Sequence, residues 1–395
     1  MIKRFGSLFA GHIDLPDMGF DATPANERFY SNDKLVTVFD KVDAIAKTMD
    51  AKGYDTFWMA EHHFQREGYE CIPNLLMEAV HLCHITKNIR IGCGFNIAPM
   101  WHPLRLAEDY ATADILTGGR TIFGVGRGYH TREVEVFGSP LLDGDANREL
   151  FEEQMDIIFK AFNEESFSHQ GKYYTIPPSV PYRGYQLEEI TLVPRPVNPV
   201  ECWQPVVSAS ERGLNFMAKH GIKGVIGGGA AAGGAASSVV LAWQDVQAKH
   251  GRELELGGDL IISFSTYIAE TPERAIEDCR KYFQENMKMF GPLGFVRGLT
   301  DEQISALGDP KRIHSAGLPT LEQAVEEGSW LMGTPEMITE KLMMIQDQYP
   351  GLEEINIGLP VGTPQNVLIE QLEQFAEEVM PAFKSQTAEP VTADD

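Results

Sequence analysis

Cysteine chemistry is scarce in this chain. Its five cysteines, Cys71, Cys83, Cys93, Cys202 and Cys279, are odd in number and contain no C-x-x-C pair. A disulfide framework and a structural zinc site are therefore set aside in favour of buried free thiols in a reducing compartment. Positive charge is also scarce: 33 Lys and Arg stand against 57 Asp and Glu, a formal net charge of −24. Such a chain repels nucleic acid and anionic membrane, so neither is expected as a partner. Any phosphate site must then be local, made of a few arginines and backbone N–H groups. No apolar run approaches the ~20 residues that span a bilayer. The first residues, Met1 to Asp14, carry Lys3 and Arg4 but no signal-peptide pattern, so a cytoplasmic location is expected. There is no repeat of 20 to 50 residues. The glycine-rich run Gly227–Ser238 contains no G-x-G-x-x-G fingerprint and reads as a flexible loop.

What is present is a core-forming composition, 43 % hydrophobic, arranged as strands alternating with helices. Strands are predicted at Lys3–Ala10, Thr56–Ala60, Ile89–Ile97, Thr121–Val125, Pro205–Ser208, Gly224–Ile226, Leu260–Ile268 and Glu354–Leu359. Helices are predicted between them, at Lys34–Lys52, Pro73–Thr86, Pro103–Thr117, Asn147–Asn163, Arg212–His220, from Thr271, from Thr334, and at Pro364–Phe383. Pro73 is placed in a first turn, Thr271 and Ser210 as N-caps, and Gly118–Gly119 as a helix stop. Eight strand–helix units fit an α/β (β/α)8 TIM barrel, with a doubly wound open sheet as the alternative. The expected organisation is one barrel over residues 1–383, with insertions at about 164–203 and 290–330. The first insertion reads as a hairpin, and residues 384–395 as a disordered acidic tail.

Three segments carry candidate chemistry. Glu61-His62-His63 stands at the C-terminal end of strand 2, where barrels place reactive groups. A polar loop end is the plainer alternative. A metal reading of His62 and His63 is weak, because adjacent side chains on a strand diverge. His81 and His84 share a helix face, but with no third ligand in view they read as packing or surface. The second segment is Thr121-Ile-Phe-Gly-Val-Gly-Arg-Gly-Tyr129, in which Arg127 sits between Gly126 and Gly128 at a strand end. It suits an anionic planar cofactor, or simply a tight turn with a surface arginine. The third, Ser208-Ala209-Ser210, opens a helix whose N-terminus could hold phosphate. No metal is expected.

Together these segments resemble the bacterial luciferase-like flavin-dependent monooxygenases. The resemblance rests on AEHHF at Ala60–Phe64, on His102-Pro103 with Arg105, Glu108 and Asp109, and on Gly119-Arg120. Phe123-Gly-Val-Gly-Arg127-Gly128, Val136-Phe137-Gly138, Arg148 and the Pro205–Ser210 strand complete it. It covers about Lys3 to Gly229 well and the remainder loosely. It implies a (β/α)8 barrel binding reduced FMN at its C-terminal mouth. By the same carry-over His62, with Glu61 and His63 beside it, would be catalytic. Gly94 and Phe95 would form a non-prolyl cis peptide beneath the flavin, with Asn96 after the bend. Gly126, Arg127, Gly128, Tyr129, Arg148, Ser208, Ala209, Ser210 and Gly213 would line the cofactor. Ala209, Gly213 and Gly126 depart from the luciferases themselves, which argues against light emission on aldehydes and leaves the substrate open.

The reaction implied is oxygenation of a small organic substrate by O2 through a flavin hydroperoxide, with reduced FMN supplied by a separate flavin reductase. Relatives are commonly homodimers. The alternatives are a deazaflavin-dependent hydride-transfer oxidoreductase, a non-catalytic flavin-binding barrel and a metal-dependent barrel hydrolase.

Overall fold

The computed structural model describes residues 1–231, 237–296, 298–358 and 360–384. Eight parallel strands close on themselves: β1 Arg4–Phe9, β2 Thr56–Met59, β3 Arg90–Cys93, β4 Thr121–Gly126, β5 Cys202–Pro205, β6 Lys223–Gly227, β7 Leu260–Ile268 and β8 Glu354–Gly358. Closure is made by β5 pairing with both β4 and β6, and by β8 pairing with both β7 and β1. The open-sheet alternative is thereby excluded, and the fold is a TIM barrel with helices between its strands.

The barrel is plugged from below by ions and above them by aromatics. At the N-terminal end Arg4 pairs with Glu354 at 3.1 Å, and Thr56 donates to the same carboxylate at 2.5 Å. Glu201 there binds Arg90 at 2.7 Å and Lys223 at 3.1 Å. Above lie Trp58, Ile122, Trp203 and Ile261, with Leu8, Phe95 and Val225 against them. The two indoles meet edge to face with centroids 6.0 Å apart, a favoured aromatic geometry. Gly92 is required beneath them, since a Cβ there would stand 2.3 Å from the Trp58 ring.

Several boundaries differ from those predicted. The third strand breaks at Cys93, and a short second piece, Asn96–Ile97, pairs beside β4; the Gly94–Phe95 peptide between them is cis, as the resemblance implied. Pro73 lies outside its helix, because Asn74 is the N-cap and accepts from the Met77 N–H at 2.9 Å. Residues 164–203 hold two hairpins rather than one. The first is fastened by Glu153, which accepts the N–H groups of Lys172, Tyr173 and Tyr174. The second turns at Arg183-Gly184, both at positive φ, as a two-residue type I′ loop requires. Residues 290–330 contain helices Asp301–Ala306 and Leu321–Glu326, each with a Thr/Gln capping box. Leu321, Ala324 and Val325 of the second, with Leu307 just after the first, join Tyr267, Phe283, Ile313 and Met332 in a satellite core. Lys384 belongs to a closing helix, Pro381–Lys384, and its ammonium donates to the Gly53 carbonyl at 2.9 Å. The rest of the predicted tail, and much of the Gly227–Ser238 run, lie outside the described residues.

Candidate active site

Glu61, His62 and His63 leave the end of β2 on alternate sides, and the structure sends them to two different tasks. Glu61 is buried and structural in its contacts. Its carboxylate accepts from the Ile97 N–H at 2.8 Å, Trp101 Nε1 at 2.9 Å and His63 Nε2 at 3.1 Å. It thus anchors the chain just past the cis bend. His63 shares that anchor and packs against Phe64 and Phe137.

His62 turns the other way into a buried ionic cluster and is only 4 % exposed. Its Nδ1 lies 3.2 Å from Glu133 Oε2 and its Nε2 3.0 Å from Glu70 Oε1. Tyr129 Oη lies 3.1 Å from the same Nε2 and donates to Glu70 Oε1 at 3.0 Å. His130 Nε2 meets the other Glu70 oxygen at 3.2 Å, and Gln65 donates to Glu133 at 2.9 Å. Burial opposes charge on His62, but two carboxylates outweigh it and push its pKa up to about 10. Glu70 is likewise opposed by burial yet held below the ordinary carboxylate range by His62 and His130. At neutral pH this imidazole is a cation with both N–H groups donating.

A second cluster forms where β4, β5 and their helices meet. Arg127 follows β4, is half-buried, and makes a reciprocal pair with Asn147: Nη1 to Oδ1 and Nδ2 to the Arg127 carbonyl, both 3.1 Å. Burial, then the nearby charge of Arg148, depresses its guanidinium pKa. Arg148 Nη1 would lie 3.4 Å from a Cβ built on Gly213, so the absent side chain leaves Arg148 room. Ser210 caps the helix Glu211–His220 and accepts from the Gly213 N–H at 3.5 Å. Neither Arg127 nor Arg148 forms an ion pair with a carboxylate among the described residues, whereas Arg212 is paired with Glu152 at 2.7 Å. Two half-buried cations without counter-ions among the described residues, beside a helix N-terminus, are groups that could hold an anion. Ser208 and Ala209, just before Ser210, are exposed.

Between the clusters runs the bend at Gly94, Phe95 and Asn96. Asn96 is fully buried; its Nδ2 donates to the Gly124 carbonyl at 2.9 Å, and its Oδ1 has no partner among the described residues. Gly126 faces the bend, where a Cβ would meet Ile97 and Phe95 at 3.3 and 3.4 Å. Gly124 meets its own protein closely: a Cβ there would stand 1.7 Å from the Cys93 carbonyl. Gly128, at φ +82°, turns the chain so that Arg127 and Tyr129 serve different clusters.

The model for the luciferase-like monooxygenases matches residues 20–350. The chain belongs to that family. This luciferase-like chain is 28 % identical over 151 residues to the oxygenase component of a flavin-dependent trigonelline monooxygenase from Acinetobacter baylyi, covering 38 % of this chain and 41 % of that one. It spans less than half the length of that relative and of an uncharacterised Sinorhizobium fredii protein matched at 31 %. The oxygenating constituent of 3,6-diketocamphane monooxygenase from Pseudomonas putida, solved with FMN, superposes with TM-score 0.70 at 19 % identity, over 96 % of this chain and 99 % of that one. An F420-dependent secondary alcohol dehydrogenase superposes with TM-score 0.63 at 15 % identity, over 97 % and 99 %. At those identities the two structures speak to the fold alone.

Of the residues singled out in sequence, the structure groups His62 with Tyr129, and Arg127 with Arg148, Ser210 and Gly213. It removes Glu61 and His63 to the cis bend. Glu70, Glu133, His130 and Gln65 were not foreseen. One sequence signal existed: His130 and Glu133 stand three apart, opening a short helix directly after Arg127-Gly128-Tyr129. Nothing local marks Glu70. It is placed through its neighbour Tyr69, which donates to Glu285 at 2.8 Å, and Glu285 also holds Arg28 at 2.7 Å and Lys288 at 3.1 Å. That buried knot ties the loop after β1 and the loop after β2 to the helix after β7.

Proposed function

We propose that this family member is a two-component monooxygenase that takes reduced FMN from a separate reductase and uses O2 to oxygenate a small organic substrate. The observation that carries the reading is the anion cradle: Arg127 and Arg148 lack carboxylate partners among the described residues, in a chain of net charge −24. Cofactor binding there is local electrostatics overcoming an unfavourable background, which screening limits to about 8 Å. The cradle suits the FMN phosphate. The bend at Gly94, Phe95 and Asn96, with Gly126 behind it, suits the ring.

When bound, reduced FMN supplies the electrons that activate O2. The chain's own residues then hold charge and protons. His62, with a pKa of about 10, is a poor base at neutral pH and a permanent donor at Nδ1 and Nε2. Its role is to stabilise developing negative charge, and to return a proton at Nε2 through the Tyr129 hydroxyl. Glu70 and Glu133 position it. Phe295, whose ring lies 4.4 Å from that of Tyr129, covers this network from the second insertion and helps keep water out.

A single barrel over residues 1–383, a homodimer and a cytoplasmic location complete the proposal. The test is anaerobic titration with reduced FMN and with a reduced deazaflavin, followed by mixing with O2. The reading requires tight FMN binding and incorporation of one labelled oxygen atom into product. Tight deazaflavin binding with hydride transfer and no oxygen uptake would instead assign the same cradle to a deazaflavin oxidoreductase.

A further inference from the structure

On the outside of the barrel, away from the mouth clusters, two helices bring together groups the sequence kept apart. Asp43 lies on the helix Thr37–Ala51, and Glu78 and His81 on the helix Leu75–Ile85. Read in sequence, His81 lacked a third ligand; folding supplies it. His81 Nε2 lies 2.7 Å from Asp43 Oδ1. One ligand atom each from Asp43, Glu78 and His81 falls within 4.8 Å of the others.

An acidic pair beside a histidine is common on surfaces and alone argues nothing. Glu78 is the additional observation. It is 7 % exposed, and its Oε1 is buried with no hydrogen-bond partner among the described residues. Burying a carboxylate without a donor or cation is costly. His81 does not relieve it, because its Nε2 is engaged by Asp43. Lys47 is on the far oxygen of Asp43, at 3.2 Å from Oδ2. Burial leaves Glu78 titrating above the ordinary range, with His81 opposing the shift and Asp43 adding to it. The corner is therefore rich in acceptors, and Glu78 Oε1 is the one left without a donor or cation among the described residues. A cleft lined by Val80, His81, Cys83, His84 and Leu116 adjoins His81.

We propose that Asp43, Glu78 and His81 form a binding site for a divalent transition-metal ion, with Zn2+ as the representative. One imidazole nitrogen with two carboxylates suits Zn2+, Mn2+ or Co2+ better than Ca2+ or Mg2+, which prefer all-oxygen shells. Two carboxylates would neutralise the ion, and His84 stands one turn beyond His81 on the same helix. The site is separate from the His62 cluster, whose polar groups already satisfy one another.

The test is titration of chelator-stripped full-length protein with Zn2+, read by competition with a chromophoric chelator, and with Co2+, read by its visible absorption. Wild type is expected to take up one ion per chain at this site. Glu78→Gln and His81→Gln should each weaken it at least tenfold, leave FMN affinity unchanged, and abolish the Co2+ band. Glu78→Gln should fold at least as well as wild type without metal, because it removes a buried carboxylate, so loss of metal binding cannot be blamed on misfolding. Absence of stoichiometric uptake by wild type would overturn the proposal. So would uptake that persists unchanged in both variants, which would place the ion elsewhere, with His62, Glu70 and His130 the obvious alternative.

Discussion

Replacing Arg148 by alanine tests the cofactor cradle most directly. Arg148 is half-buried, sits against Gly213 at the N-terminus of the helix Glu211–His220, and has no carboxylate partner among the described residues. Without ligand its charge is a burden, since it depresses the Arg127 guanidinium. Removing it should leave the apo protein as stable as wild type or slightly more so. With FMN the sign reverses. A charge-assisted hydrogen bond contributes roughly 1.5–3 kcal/mol, so Arg148→Ala should weaken FMN about 10- to 100-fold at ~1.4 kcal/mol per factor of ten. Arg212→Ala is the internal control: that guanidinium is already paired with Glu152 at 2.7 Å and is exposed, so little affinity should be lost. Fluorescence titration with FMN and riboflavin gives the numbers, and the FMN-induced rise in melting temperature should shrink in step. Riboflavin, lacking the phosphate, should bind wild type and variant alike. FMN affinity unchanged in Arg148→Ala, or lost equally for riboflavin, would refute the cradle as a phosphate site.

Four further outcomes follow from the His62 cluster. His62→Ala should lower product formation by about 10²-fold, the usual scale for a proton-handling group, while FMN still binds; unaltered product per flavin oxidised would contradict the role. The ion pairs also set a pH window. His62 is raised from 6.5 to about 10, so its stabilising contribution is complete below about 6.5 and fades as pH rises towards 10. Glu70 and Glu133 are lowered, so their contribution holds above about 4.5 and fades as pH falls. The melting-temperature gap between wild type and His62→Gln should therefore be largest near pH 5 to 6 and narrow by pH 9; a constant gap would mean that His62 is not ionised. Glu133→Gln should shift the alkaline limb of the activity profile to lower pH. Phe295→Ala should raise the hydrogen peroxide released per flavin oxidised without changing FMN affinity; unchanged coupling would show that the second insertion does not shield the site.

The sequence by itself determined the parts whose physics is local. Alternating strand and helix signals gave eight units, because side-chain period and capping residues are written within a few positions. Thr271, Ser210 and Gly118 stop or start helices where their chemistry says they should. The order of AEHHF, the glycine–arginine run and Arg148 was enough to indicate the family. Break points inside elements were less legible. The cis peptide at Gly94–Phe95 was implied by the family resemblance and is found there, whereas the displacement of Pro73 by Asn74 depends on which neighbouring group satisfies which backbone N–H.

Only the tertiary structure decided what those residues do. Glu61, His62 and His63 are adjacent in sequence, yet Glu61 and His63 brace a bend while His62 enters an ionic cluster. Its carboxylates are 8 and 71 positions away, and no local pattern announces them. The same holds for Asp43 beside His81 and for Glu285 beside Arg28 and Tyr69. The physical reason is common to all of them. A buried charge is tolerable only where counter-charges and donors converge on it, and in a closed barrel that convergence is set by which strand ends and helices become neighbours, which no stretch of sequence contains.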